Sequence, residues 1–199
     1  MTKSLLLIEF QQEWLNPKGK LYPRVDSPAR LKASIEQAKK ALSHARKNGW
    51  LIAHSGLTFK LGYPELGKAN LGLRSHIPHR QTFLAGNEGT KFHSDFESKE
   101  GELLVEGRLG TSAFSGSNLN CKLHNHQVTE LFIMGYALHV CVESTLRAAH
   151  DLGYETRVIT DASAAFTEKQ EDYFKQHVAS HFGQAISTEE FISASNCCF

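Results

Sequence analysis

Apolar positions along the chain follow two different periods. "SLLLIEF" (4–10) is a continuous apolar run of the length of a buried strand. "WLIAHS" (50–55), "GELLVEG" (101–107), "TELFIMG" (129–135) and "YETRVIT" (154–160) read as four further strands, and "QAIS" (184–187) as a short sixth. Between the first two runs lies the clearest helix, "SPARLKASIEQAKKALSHARKNG". Its residues Leu31, Ile35, Ala38, Leu42 and Ala45 step by four, three, four and three, which puts them on one face. Ser27 is a cap, Pro28 fits the first turn, and Gly49 is a stop. Further helices are predicted over 117–127, capped by Ser117, over 139–152, ended by Gly153, and over 167–183. Residues 56–101 follow neither period. So long an irregular stretch is often a functional loop carrying short helices.

Strands that alternate with helices predict an α/β fold, a mostly parallel sheet with helices on both faces. Sites in such sheets lie at the carboxyl ends of the strands. With no repeat and no low-complexity linker, one domain is expected over 1–199. Hydrophobic residues make up 41%, charged residues 22%, and the formal net charge is +1. That balance suits a globular chain and gives no reason to expect a nucleic-acid partner. No apolar run approaches the roughly 18 residues a membrane span needs. Glu9 interrupts the N-terminal apolar run, and no small-residue cleavage site follows, so no signal peptide is expected. Cys121, Cys141, Cys197 and Cys198 form no zinc-like pair, which predicts free thiols in a reducing, cytoplasmic setting.

Three residues fall at or just past strand ends: Glu9, Arg108 and Cys141. A helix N-terminus lowers a thiol's pKa, a nearby carboxylate can take its proton, and a cation stabilises the resulting charge. Convergence of the three is therefore expected to keep the Cys141 sulfur ionised. Each residue also has a plainer reading: Cys141 as a small buried hydrophobe, Glu9 as the wet end of a strand, Arg108 as a solvated turn residue.

The stretches "LLLIEFQQEW", "VEGRLGTSAFSGSNL" and "MGYALHVCVESTLRAAHDLGYETRVITDASAA" resemble the isochorismatase-like cysteine hydrolases. That family includes isochorismatases, nicotinamidases and N-carbamoylsarcosine amidohydrolases. The resemblance runs from about residue 4 to 192. It implies a three-layer α/β/α sandwich around a Rossmann-like six-stranded parallel sheet in the order 3-2-1-4-5-6. It also implies an Asp–Lys–Cys triad attacking a carbonyl carbon, with Cys141 at the nucleophile position. Glu9 stands where the family has Asp and Arg108 where it has Lys. The resemblance further implies a cis peptide at Tyr136–Ala137, an oxyanion hole made by the N–H groups of Ala137 and Cys141, and a homo-oligomer, dimer or tetramer. The two departures matter: Glu9 adds a methylene, and Arg108 cannot lend a proton, although it can hold a carboxylate bidentately.

The expected function is a cysteine-dependent hydrolase of a small amide-like substrate, working through a thioester without a cofactor. The alternative is a catalytically weak or retired member that binds a small ligand or partner. Gln11, Trp14, Phe59, Tyr63, Leu109, Phe114, Leu138 and His139 are the expected pocket residues. No metal is expected. Nicotinamidases carry an Asp-x-His motif that "IAHSGLTFKLGYPE" lacks, and His54, His76, His79 and His93 have no ligand-like spacing. "GYPELGKA" (62–69) only approximates a phosphate loop, since Ala69 replaces the required hydroxyl. Asp161 is read as a turn-former rather than an acid catalyst.

Overall fold

The structure, a computed structural model, describes residues 2–195. The apolar runs become β1 (Thr2–Ile8), β2 (Leu51–Ser55), β3 (Leu103–Leu104), β4 (Val128–Gly135), β5 (Glu155–Ile159) and β6 (Gln184–Ile186). All pair in parallel, in the expected order β3-β2-β1-β4-β5-β6. β1 lies in the middle of the sheet, with its Leu6 opposite Ala53 of β2 and Ile133 of β4. Successive strand residues point to opposite faces. Leu5 and Leu7 accordingly enter one core cluster while Leu6 and Ile8 enter the other. A strand covered on both faces needs apolar residues at every position, which is why β1 reads as an unbroken run. Each such side chain contributes about 1.5–3 kcal/mol relative to exposure.

The helices are α1 (Gln12–Leu15), α2 (Pro28–Lys47), α3 (Leu73–Arg80), α4 (Leu119–Asn125), α5 (Glu143–Asp151), α6 (Glu168–Tyr173), α7 (Ala179–Phe182) and α8 (Thr188–Ser195). Leu31, Ala38, Leu42 and Ala45 of α2 pack with Phe191 of α8 on one face of the sheet. Leu119 and Leu123 of α4, Leu146 and Ala149 of α5, and Ala179 of α7 cover the other. The Ser27 hydroxyl accepts the Arg30 N–H at 3.3 Å, as an N-cap does, and Gly49 leaves the helix at φ +66°.

Several boundaries differ from the sequence expectation. The third strand shrinks to two residues, because only Leu103 and Leu104 reach partners on β2. The helix expected at 139–152 begins with a widened turn over Leu138–Val142, and the one expected at 167–183 is split by a similar turn over Phe174–Val178. Asn118 takes the N-cap position of α4, although the Ser117 hydroxyl still accepts the Leu119 N–H at 3.2 Å. α8 was not anticipated; Asp161 holds its first turn by accepting the Thr188 N–H at 2.8 Å. Cys197 and Cys198 lie outside the described residues. Among the described residues, no helix is long and apolar enough to cross a membrane.

Candidate active site

The carboxyl ends of β1 and β4 are brought together by a glycine. A Cβ on Gly135 would lie 2.1 Å from the Ile8 carbonyl oxygen, and its φ of +141° suits no other residue. The chain then turns: Tyr136 N–H donates to Ile8 O at 3.1 Å, and the Tyr136–Ala137 peptide is cis. The Tyr136 hydroxyl is 3.1 Å from that of Ser34, which ties this corner to α2. Leu138 N–H donates to Ala164 O, and Val140 and Val142 N–H both reach Ala137 O. The widened turn sets Cys141 at the head of α5 with its side chain on the cleft floor.

Glu9 follows β1 directly, at a φ of +55° that is uncommon for a side chain with a Cβ. Its N–H donates to Ser55 O at 2.8 Å. The carboxylate is fully enclosed: Oε1 accepts from Arg108 Nη2 at 2.7 Å, and Oε2 from Trp14 Nε1 at 2.9 Å. Arg108 arrives from the turn after β3 and reaches past the end of β2, where its Nη1 lies 3.5 Å from Ser55 Oγ. Gly110 O and Thr111 O accept its remaining donors, at 3.0 and 2.6 Å. The expected bidentate grip is therefore a single bond, because Nε and the second Nη2 hydrogen go to the turn's carbonyls and Nη1 faces Ser55. Arg108 also comes from a strand one removed from β1, not a neighbouring one.

The Cys141 thiol lies close enough to Glu9 and Arg108 to feel both charges. Burial, reinforced by the Glu9 charge, pushes its thiol well above the ordinary value, and Arg108 only partly offsets this. The expectation of a resting thiolate is thus corrected. Glu9 and Arg108 neutralise each other, so the helix head and guanidinium do not outweigh desolvation. Thr145 joins this helix to the turn that carries Arg108. Its hydroxyl donates to Cys141 O at 2.7 Å and accepts the Ala113 N–H at 2.9 Å.

Above the thiol lies a cleft of about 340 Å³. Glu9, Ala137 and Cys141 form its floor, and Trp14, Phe59, Phe83, Phe166 and Leu109 are among its walls. Four expected pocket residues sit elsewhere, and a fifth lies behind the wall. Gln11 is buried and grips the loop after β2, bonding Leu57 N and O and Thr90 O. Tyr63 is buried with its hydroxyl on Thr82 O at 3.0 Å. Phe114 stacks on Tyr154 on the other side of the sheet, and Leu138 is fully buried in that layer. His139 stands edge-on to Phe166, 4.6 Å between ring centroids, and so backs the wall rather than forming it.

Residues missed in the sequence include Phe166 and a group from the loop after β2: Leu57, Leu66, Ile77 and Phe83. The loop's irregular pattern pointed to the region but not to the residues. A buried carboxylate, Glu13, holds that wall by accepting the Phe83 N–H at 3.1 Å. Arg30 holds the other, bonding Glu171 and the Phe166 carbonyl. Among the described residues no group of three or more His, Cys, Asp or Glu side chains is placed to hold a metal.

A model of the isochorismatase domain matches residues 3–190. YddQ of Bacillus subtilis, an uncharacterised isochorismatase-family protein, is 29% identical over 189 residues, covering 94% of this chain and 92% of that protein. The maleamate amidohydrolase of Pseudomonas putida is 25% identical over 158 residues, 79% of this chain and 70% of its own. The crystal structure of a cysteine hydrolase from Pseudomonas syringae superposes with a TM-score of 0.84 at 19% identity, covering 99% of this chain and 93% of the other.

Proposed function

This chain belongs to the isochorismatase family of hydrolases, and from that premise we propose that it is a cysteine hydrolase cleaving a small amide-like C–N bond through a thioester. One observation carries the reading: Cys141 lines the cleft beside the buried Glu9–Arg108 pair, close enough to feel both charges.

At rest the thiol keeps its proton and Glu9 is paired with Arg108. As the substrate carbonyl settles over the sulfur, Glu9 takes the thiol proton. The three side chains keep the same total charge, because Arg108 exchanges a carboxylate partner for a thiolate one. The thiolate attacks the carbonyl carbon, and the N–H groups of Ala137 and Cys141, both at the cleft floor, receive the oxyanion. Protonated Glu9 then gives its proton to the leaving nitrogen, and the C–N bond breaks to leave a thioester. Glu9, again a carboxylate, removes a proton from water, which cleaves the thioester and restores the thiol. Trp14 fixes the Glu9 carboxylate through its indole N–H.

The test is a panel of amides, carbamoyl compounds and esters assayed against the wild type and Cys141→Ala. Hydrolysis by the wild type alone, with a covalent acyl adduct on Cys141 detected by mass spectrometry, is the expected result. Equal rates in both proteins remove the thiol mechanism, and turnover of nothing in the panel favours the retired scaffold.

A further inference from the structure

We infer that the substrate of this cleft is an anionic amphiphile: an amide whose hydrocarbon body ends in a carboxylate, phosphate or sulfate at the cleft mouth. The inference rests on the hydrolase reading only in taking the cleft as the substrate's seat.

The lining divides into an apolar body and a charged rim. Leu57, Phe59, Leu66, Ile77, Phe83 and Phe166 enclose the body. Arg24, Arg74 and Arg80 also line the cleft, and all three are exposed. Glu9 is the acidic member of the lining, and Arg108 already neutralises it. None of the rim cations is in an ion pair among the described residues. The Arg74 guanidinium donates to the Leu66 carbonyl, Arg24 lies over the Phe166 ring at 4.8 Å, and the Arg80 side chain makes no hydrogen bond among the described residues. Among the lining residues the mouth therefore carries unpaired charge of one sign, joined to walls that reward burial of hydrocarbon. A neutral short amide would use neither feature. A cationic one would meet three like charges.

Binding is measured in the Cys141→Ala protein, so that hydrolysis plays no part. The probes are suberamate, octanamide and 8-ammonio-octanamide, which share one chain length and differ in the far end. Calorimetric titration is expected to give suberamate about a tenfold advantage over octanamide at low salt, shrinking as salt screens the rim. Arg80→Glu, at an exposed position without partners, is expected to bring the two within about twofold and to improve the cationic probe. Octanamide binding as tightly as suberamate overturns the inference, and so does a preference that neither Arg80→Glu nor Arg24→Gln changes, or failure of every probe to bind. Selective binding of suberamate, with no turnover of it by the wild type, upholds the inference and sinks the hydrolase reading instead.

Discussion

The floor of the cleft and its outer wall are held by opposite means. Glu9, Arg108 and Cys141 are 1%, 4% and 6% exposed, and each is fixed by contacts with the others or with neighbouring carbonyls. α3, on the outer side, buries none of its eight residues, and Leu61 and Leu71 in the same loop after β2 are each 86% exposed. The floor is built from strand ends at the centre of the sheet, where a shift in one group moves all the others. The wall is inserted between β2 and β3, so it can change without disturbing sheet pairing. On the proposed mechanism, chemistry resides in the part that tolerates least change, and choice of substrate in the part that tolerates most.

The strongest challenge to this contrast is Glu9→Gln. It leaves Arg108 buried without a counter-charge, at an expected cost of about 3–5 kcal/mol, and removes the base, lowering turnover about a hundredfold or more. Urea unfolding and the amide panel read the two effects. Glu9→Leu combined with Arg108→Met should recover most of the stability and none of the turnover. Next comes Gly135→Ala. Its methyl would collide with Ile8 O, and a loss of about 1–3 kcal/mol or more is expected as a shift in denaturation midpoint.

A third test concerns the thiol. Its value in the folded state lies above that of an ordinary cysteine, so the stability it brings is intact below the ordinary thiol range and is lost as pH rises through it. Iodoacetamide should label exposed Cys121 first and reach Cys141 only above the ordinary value of 9.0, as read by peptide mass spectrometry. Rapid labelling of Cys141 at neutral pH would mean a resting thiolate and a different charge balance at the floor. The smallest effect belongs to the wall: Arg80→Glu should change unfolding stability by no more than about 0.5 kcal/mol while altering what the cleft admits.

The sheet was legible in the sequence because its central parallel strands are covered on both faces, so β1 and the second half of β4 read as unbroken apolar runs. Glu9 was legible for the converse reason, as a charge inside such a run. Cys141 and Arg108 were placed by motif, but the state of the thiol was not. Desolvation depends on what surrounds the sulfur, and the cleft beside it is walled in part by Trp14 and Phe166 from distant segments. The pocket assignments failed where chain proximity stood in for direction. Leu138 is three residues from Cys141 yet is sealed in the core beneath the cleft, and Gln11 turns away to hold a loop. α3 carried no readable period, since a helix that buries no residue has no apolar stripe to reveal it.

The bond between the Trp14 indole and Glu9 gives the molecule an optical reporter of its own. The chain has two tryptophans, and the second, Trp50, sits at the amino end of β2 against Phe132 and Phe191. Emission from Trp14 should change whenever the carboxylate beside it gains or loses a proton, while Trp50 supplies a steady background. Rapid-mixing fluorescence would then time acyl transfer and its reversal with unlabelled substrates, and Trp14→Phe would provide the dark control.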